Sequence, residues 1–209
     1  MYIPEHFAER DQEQLHRIIR DNPLGILVTT GETGMDADHI PFELEAGHGE
    51  FGLLTAHVAR ANPVLQRCVD GTPVMVIFRG ADAYISPNWF ESKHETHRQV
   101  PTWNYEVVHV HGVMRVMPEQ KLLRRTLALL TRHHESGESK PWKMGDAPRE
   151  YLDEMVSRVV GIEIEPQRVE CKRKLNQNKE TRDRLSVISH LRERGDEALA
   201  AAMQETRGL

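Results

Sequence analysis

The clearest pattern in the chain is the alternation of apolar and polar residues over residues 108–116. One side of this stretch carries apolar residues and a glycine, namely Val108, Val110, Gly112, Met114 and Val116. The positions between them carry His109, His111, Val113 and Arg115. A period of two with one apolar face is typical of a strand that covers a core on one side only. We therefore predict a half-buried strand, entered through residues 102–105, whose polar-ended side chains either cap the core or form a wall for a flat ligand.

Weaker patterns of the same kind predict further strands and several helices. The strands cover residues 24–30, 35–44, 51–57, 73–79 and 159–164, the last extended by residues 169–175. The helices cover residues 11–20, 62–70, 118–134 and 149–158, with one or two more after residue 179. The polar stretches 86–100 and 136–148 are predicted to be loops. Strands in hairpins with helices between and outside them indicate an α+β fold that is mainly β, a small antiparallel barrel with helical flanks.

Composition narrows the class of protein. Charged residues make up 28% and hydrophobic residues 39% of the chain, as in ordinary water-soluble domains. No apolar run approaches the ~20 residues of a membrane span, and the N-terminal segment lacks the basic start and apolar middle of a signal peptide. Cys68 and Cys171 are too few for a disulfide framework. We therefore expect a cytoplasmic protein without a membrane partner, and the net charge of −5 argues against a main role in coating nucleic acid.

A candidate anion site lies in the segment HVARANP, where a predicted strand ends at His57 and a helix begins. Free backbone amides at a helix N-terminus favour an anion, and Arg60 supplies a forked guanidinium that suits phosphate. Two other roles are open, because Asn62 could cap the helix and Arg60 could pair with a surface carboxylate. His39, in the segment DADHIP, belongs to this site only if its hairpin brings it close to His57 and Arg60.

A second candidate is the segment KRKLNQNK, residues 172–179, in which cations precede three side-chain amides. Amides donate and accept at once and so suit the edge of a heterocycle. The alternative is a solvated basic strand end, and the segment lacks the interleaved aromatic residues of a nucleic-acid patch. His109 and His111 share a strand face, but we expect no metal site, since no acidic or cysteine partner has a matching spacing in the sequence.

Several longer segments together resemble one family. They are MYIPEHFAERD, NPLGILVTT, HIPFEL, AHVARANP, YISPNWF, VPTWNY with VHVHG, and VVGIEIE with KLNQNK. In this order, and over roughly residues 1–190, they resemble the PaiB family of FMN-binding negative transcriptional regulators. The resemblance implies a six-stranded antiparallel split β-barrel of the FMN-binding type, similar to pyridoxamine-phosphate oxidase. It also implies a homodimer that holds FMN in a groove between two chains, with residues 1–178 as the barrel domain and residues 179–209 as a helical tail that packs on it or extends it.

The resemblance assigns two groups of residues to the cofactor. By analogy with the wider fold, the FMN phosphate would be held by Thr55, His57, Arg60, Ala61 and Asn62, with His39 close by. The flavin, or the pocket beside it, would be contacted by Trp103, Asn104, Lys174 and Gln177, in part from the second chain. His39 and Ala61 depart from the wider fold, because they stand where the oxidases have arginine and lysine.

Three functions follow from the resemblance and the composition. The first is a homodimeric FMN-binding repressor that acts on DNA directly or through a partner. The second is a flavin-dependent oxidoreductase using FMN and a reduced nicotinamide, in which residues 88–99 would form a lid. The third is a haem-binding split barrel, since the chain has 12 histidines. Short helices on either side of Gly195 could form a helix-turn-helix, but the acidic residues of the tail are poorly placed beside DNA phosphates.

Overall fold

The computed structural model describes residues 1–32, 34–68, 70–117 and 119–206. The chain divides into two compact units, each built from separate stretches of sequence. The terminal unit, which contains both chain ends, consists of Met1–Ile18, Arg79–Val108 and Glu170–Leu209. The middle unit consists of Ile19–Phe78 and His109–Val169.

Strands and helices alternate along the chain. The strands are β1 (Ala8–Glu9), β2 (Leu24–Gly31), β3 (Gly34–Glu45), β4 (Leu53–Ala59), β5 (Thr72–Ile85), β6 (Thr102–Val116) and β7 (Val159–Lys174). The α-helices are α1 (Gln12–Asp21), α2 (Val64–Arg67), α3 (Glu91–Thr96), α4 (Gln120–Glu135), α5 (Arg149–Ser157), α6 (Thr181–Glu193) and α7 (Glu197–Gln204). Short 3₁₀ helices cover Glu5–Phe7, Pro87–Trp89 and Met144–Asp146. The fold is therefore mainly β with flanking helices, as the sequence predicts.

The described strands form one seven-stranded sheet. Their order is β1-β7-β4-β3-β2-β5-β6, and β6 also pairs with β7, so the strand pairings close into a ring. The prediction of six strands was wrong by one. The extra strand, β1, places Ala8 and Glu9 opposite Lys172 and Cys171. Two residues are too few to show an alternating pattern in the sequence, which is why β1 could not be predicted.

The predicted half-buried strand is confirmed as part of β6. Its buried positions continue the period of two from residue 104 to residue 114, so the buried face also includes Asn104 and Glu106. Gly112 is required on this face, because a Cβ atom there would lie 2.3 Å from the backbone oxygen of Glu165. The strand begins earlier than its apolar pattern, since the first residues that it buries are polar.

The middle unit contains the meander β2–β3–β4, which closes on β7. Leu24 to Gly31 pairs with Pro41 to Gly34, and Ala59 pairs with Val159 at the other end of the meander. The predicted helix over residues 62–70 is shorter than expected: α2 has four residues and follows Pro63. Thr33, Val69 and Pro118, which fall in a predicted turn and two predicted helices, lie outside the described residues.

The terminal unit has its own hydrophobic cluster. It combines the end of β5, the residue before α3, the residue after β7 and the two C-terminal helices. Its members are Ala83, Ile85, Phe90, Leu175, Val187, Ile188, Leu191, Leu199, Ala200, Ala202 and Met203. The tail forms two helices that are separated at Gly195, whose φ of +83° suits glycine, as the sequence predicts. The predicted loop over residues 86–100 is instead helical in two short pieces, Pro87–Trp89 and Glu91–Thr96. Its polar composition concealed them because they are too short for an apolar stripe.

Candidate functional site

β4 brings together two of the predicted phosphate residues. Leu54, Ala56 and Val58 are buried on one face of the strand, so Thr55 and His57 lie on the other. The Oγ1 atom of Thr55 and the Nδ1 atom of His57 are both buried without a hydrogen-bond partner among the described residues. Buried polar atoms of this kind normally have a hydrogen-bond partner, so both atoms fit a polar ligand in chemical type. Burial also lowers the pKa of His57, which favours the neutral imidazole.

The charge beside Thr55 is negative. Thr55 lies opposite Glu43 on β3 and opposite Glu163 on β7, whereas His57 lies opposite Gly161. Carboxylates disfavour a phosphate nearby, so an anion fits the His57 end of β4 better than the Thr55 end.

Arg60, just beyond the end of β4, bonds to the backbone where α5 ends and β7 begins. Its Nε atom donates to the carbonyl oxygen of Ser157 at 2.8 Å, and its Nη2 atom donates to that of Val159 at 3.2 Å. The backbone N–H of Arg60 donates to Arg158 O at 2.8 Å. A guanidinium has five N–H donors, so these bonds fix the position of Arg60 without using all of its capacity. Ala61, beside it, is exposed.

Asn62 bonds to Val64, the first residue of α2, and belongs to a second network. Its Oδ1 atom accepts the backbone N–H of Val64 at 2.8 Å, and its Nδ2 atom donates to Asp38 Oδ1 at 3.0 Å. Arg67 completes the network through Asp38 at 2.9 Å and Asp36 at 3.0 Å. His39 is exposed and, as the next residue on β3, faces away from Asp38.

Arg67 was missed by the sequence reasoning. Its half-buried guanidinium also donates to Thr29 Oγ1 at 3.4 Å. Paired acidic residues two apart on a strand, Asp36 and Asp38, were the one available signal, since they place two carboxylates on the same strand face. Arg67 is already neutralised by its ion pairs with Asp36 and Asp38. Among the described residues, the Arg60 side chain bonds only to backbone carbonyl groups, so it is the better candidate to bind a phosphate.

Trp103 and Asn104 are neighbours on β6, and the structure places them on opposite faces. Trp103 is 54% exposed and meets Tyr84 edge to face, with ring centroids 6.1 Å apart. Asn104 is fully buried, its Nδ2 atom lies 3.5 Å from Met203 Sδ, and its Oδ1 atom has no hydrogen-bond partner among the described residues. The two side chains therefore cannot contact one ligand from the same side of the strand.

Lys174 is the last residue of β7, and Gln177 lies in the turn that follows it. The Lys174 ammonium donates to Thr102 Oγ1 and to the carbonyl oxygen of Trp103. Burial lowers the pKa of Lys174, and the charges of Lys172 and Lys179 lower it further. Both ends of the Gln177 amide bind backbone, with Oε1 accepting Leu175 N at 2.8 Å and Nε2 donating to Arg173 O at 2.6 Å. Gln177 thus shapes the turn that positions Lys174.

The same turn contains Asn176, one of the three side-chain amides of the KRKLNQNK segment. Its φ of +63° lies in the left-handed region, where asparagine is tolerated better than most residues. Its side chain is buried, and its Nδ2 atom has no hydrogen-bond partner among the described residues. This donor could bond to a carbonyl group at the edge of a flavin ring.

The geometry thus gives two sets of candidate residues. We call His39, Thr55, His57, Arg60, Ala61 and Asn62 the β4 set, and Trp103, Asn104, Lys174 and Gln177 the β6–turn set. The β4 set lies in the middle unit and the β6–turn set in the terminal unit. Buried polar atoms without partners in each unit fit a polar ligand in chemical type, and they are the kind of groups that FMN could satisfy.

The strand pairings close into a ring, helices flank them, and several buried polar atoms lack hydrogen-bond partners among the described residues. These features are typical of barrels that bind a small ligand. The chain belongs to the family described as "Putative FMN-binding domain", which matches residues 1–168. FMN is thus the cofactor of the family to which the chain belongs, as predicted.

Two relatives span nearly the whole chain. An uncharacterized protein of Emericella nidulans is 30% identical, over 95% of this chain and 93% of its own length. "Protease synthase and sporulation protein PAI 2" of Bacillus subtilis is 28% identical, over 91% of this chain and 89% of its own. The predicted resemblance to the PaiB family is confirmed by this second relative.

A solved structure shares the fold. The FAD and heme binding protein from Mycobacterium smegmatis superposes with a TM-score of 0.61, covering 86% of this chain and 78% of that protein. Its sequence identity is 15%, so the likeness concerns the fold alone. None of the helices in the described part of the chain is long and apolar enough to cross a membrane.

Proposed function

We propose that this protein is an FMN-binding negative transcriptional regulator of the PaiB type. It would act in the cytoplasm as a homodimer that holds flavin at the interface between its two chains. The family match and the Bacillus subtilis relative support this proposal. FMN, when bound, supplies a redox-active isoalloxazine ring and a phosphate; the protein supplies binding and orientation.

The observation that carries the proposal is the presence of unpartnered polar atoms in the candidate sets. In the β4 set, Thr55 Oγ1 and His57 Nδ1 offer hydrogen bonds along one strand face. In the β6–turn set, Asn104 Oδ1 is an unpartnered acceptor, and Asn176 Nδ2 in the adjoining turn is an unpartnered donor. A buried polar atom without a hydrogen bond costs about 1–3 kcal/mol, so the binding of a ligand that bonds to it is favoured.

Within the β4 set we assign the FMN phosphate to the Arg60 end. The carboxylates opposite Thr55 repel an anion, and Arg60 carries a positive charge at the end of the strand. Asn62 would hold the chain beyond Arg60 in place through its bond to Val64 at the start of α2. His39 and Ala61 would contribute shape rather than charge.

An exposed aromatic surface supports the proposal that a second chain completes the site. Trp103 is 54% exposed, and Tyr84 and Val100 in the same unit are exposed as well. Large apolar side chains in contact at a surface are typical of interaction sites. A flavin ring, or the partner chain around it, would cover Trp103 and approach the Lys174 ammonium nearby.

The test is a titration of the purified protein with FMN, followed by flavin fluorescence and by light scattering for mass. We expect saturable binding at micromolar FMN or tighter and a mass twice 24.0 kDa. Arg60→Ala and Trp103→Ala should each weaken binding about tenfold or more, through the loss of a charge-assisted bond and of a stacking surface. Trp142→Ala, which changes another exposed tryptophan outside both sets, is the matched control and should bind normally. A monomer with no saturable binding would refute the proposal.

The regulatory role needs its own measurement. Fragments of the source genome that the protein retains at low salt should be released as salt rises, with specific fragments released last. α7 buries Leu199, Ala200, Ala202 and Met203 in the terminal unit, so this helix is not a free recognition helix. DNA contact would therefore come from another surface or through a partner protein. Rapid oxidation of a reduced nicotinamide by the FMN-loaded protein, without specific DNA retention, would favour the oxidoreductase instead.

A further inference from the structure

The terminal unit contains a cavity of about 660 Å³ whose walls are unusually rich in charge. It lies among residues of the N-terminal segment, the end of β7 with the turn after it, and the two residues that follow α7. Its charged lining residues are Glu9, Arg10, Asp11, Arg173 and Glu205, of which Arg10 is already paired with Glu5 outside the lining. Its volume is within the range of small-molecule sites, roughly 300–1,000 Å³.

Arg173 contributes the buried positive charge of the cavity. Its side chain is 6% exposed, and its Nε atom makes a short bond of 2.7 Å to Glu106 Oε1. Its two terminal nitrogens make longer contacts: Nη1 lies 3.4 Å from Glu9 Oε2, and Nη2 lies 3.3 Å from Ala202 O. Strong guanidinium–carboxylate bonds measure about 2.7–2.9 Å. Glu106 therefore holds the guanidinium in place, while its outer edge can still bind a carboxylate more tightly than it binds these neighbours.

Glu205 contributes a negative charge directly beside that edge. Its Oε2 atom lies 3.6 Å from Arg173 Nη2 and 3.8 Å from Arg17 Nη2, and its side chain is half exposed. The other acidic groups are more firmly engaged. Glu9 Oε1 accepts the backbone N–H groups of Arg10 and Asp11, and Asp11 accepts that of Glu13. Glu205 is thus the carboxylate best able to turn towards a ligand.

We propose that this cavity binds a free α-amino acid. An α-amino acid carries its carboxylate and its ammonium group on one carbon, so it matches a guanidinium and a carboxylate that lie 3.6 Å apart. The ligand carboxylate binds the outer edge of Arg173, and the ligand ammonium binds Glu205. A ligand with a single anionic charge would meet Glu9 and Glu205 unfavourably, and a simple amine would meet Arg173. The remaining volume accommodates a side chain, and Gln14 in the cavity wall favours a polar one.

The cavity shares Gln177 with the β6–turn set, but its charged groups are distinct from Lys174. Arg173 and Lys174 are consecutive strand residues and point to opposite faces. Arg173 reaches Glu106 and Glu9, whereas Lys174 reaches Thr102 and Trp103. The proposal goes beyond FMN binding and does not rest on it, so the experiment is carried out without added flavin.

The experiment begins with the common α-amino acids, each tested singly at up to about 10 mM by thermal shift of the whole protein. L-Glutamine is the first probe for calorimetric titration, compared with N-acetyl-L-glutamine and L-glutamine amide, each of which lacks one of the two charges. We expect at least one amino acid to bind saturably. Its two blocked analogues should bind at least about tenfold more weakly, because each loses a charge-assisted bond.

Variants decide whether binding occurs in this cavity. Glu205→Gln should weaken amino-acid binding about tenfold or more, while Glu197→Gln, elsewhere on α7, should leave it unchanged. Arg173→Lys keeps the positive charge but loses the forked guanidinium, so it should also weaken amino-acid binding. If this variant does not fold, the result for Glu205→Gln decides whether binding occurs in the cavity. The absence of binding by every amino acid, equal binding of the blocked analogues, or normal binding by Glu205→Gln would each overturn the proposal.

Discussion

His57 lies half-buried on β4, and its enclosed Nδ1 atom makes its protonation costly. Burial lowers the pKa of His57, so the folded protein favours the neutral ring more than the unfolded chain does. The resulting stability is fully present above the unfolded pKa of about 6.5. It is lost as the pH falls through the lower pKa of the folded state, because protonation then favours unfolding.

We predict that the free energy of unfolding decreases more steeply below about pH 6.5 in the native protein than in His57→Gln. Urea unfolding at a series of pH values between about 8 and 5 measures the difference. The control is His48→Gln, which changes a histidine that is exposed in a turn. This variant should show the same pH dependence as the native protein. Parallel pH profiles for the native protein and His57→Gln would contradict the prediction.

Single residues also show how far the sequence could define the candidate site. The alternation along β4 predicts that Thr55 and His57 share a face, because it depends only on neighbouring residues. The bonds of Arg60 could not be predicted, since its acceptors, Ser157 and Val159, follow about a hundred residues later. The bond of Arg67 could not be predicted either, since its partner Asp38 lies on β3, 29 residues earlier in the chain.

At the scale of elements, the sequence predicted long strands and helices better than short ones. The β6 alternation and the apolar stripe of α4 persist over many residues, and both elements are present. By contrast, β1 has two residues and α3 has six, so each is shorter than two periods of the pattern that defines it. Such short elements exist because tertiary contacts hold them, and a single sequence does not display those contacts.

α3 shows which contacts hold a short helix in place. Ser92, in its first turn, donates to the buried Asp183 carboxylate of α6 through its backbone nitrogen at 2.9 Å and its hydroxyl at 2.6 Å. Gln99 then donates to the Ser92 hydroxyl, and Lys179 donates to Gln99. Residues 88–99, which the oxidoreductase hypothesis treats as a lid, are therefore tied to α6 by buried bonds.

We predict that Asp183→Ala lowers the free energy of unfolding by about 2–3 kcal/mol, because it leaves both Ser92 donors buried without an acceptor. Urea denaturation followed by circular dichroism provides the measurement. The matched control is Glu95→Gln, which removes an exposed ion pair between the same two helices. This control should change stability little or not at all. Equal stability of Asp183→Ala and the native protein would show that the buried bonds do not anchor α3.

At the scale of the whole molecule, the C-terminal residues belong to the core of the terminal unit. The family match ends at residue 168, but residues 170–206 complete β7 and add α6 and α7. Leu191 and Met203 are fully buried and share one cluster with Ile85 and Phe90, which precede them by about a hundred residues. The charged, alanine-rich composition of the tail gives little sign of this role, because only a narrow stripe of each helix is apolar.

We therefore predict that removal of residues 179–209 prevents the terminal unit from folding, because it exposes the apolar surface that Ile85, Phe90 and Leu175 bury against α6 and α7. The shortened chain should bind a hydrophobic dye strongly and aggregate, and its aromatic circular dichroism should be reduced. Two substitutions on α6 test the same idea in the full chain. Leu191→Ala, at a position that is 0% exposed, should lower the free energy of unfolding by about 2–5 kcal/mol. Leu185→Ala, at a position that is 48% exposed, should change it much less. A shortened chain that melts cooperatively at the native temperature would show that the tail is an appendage.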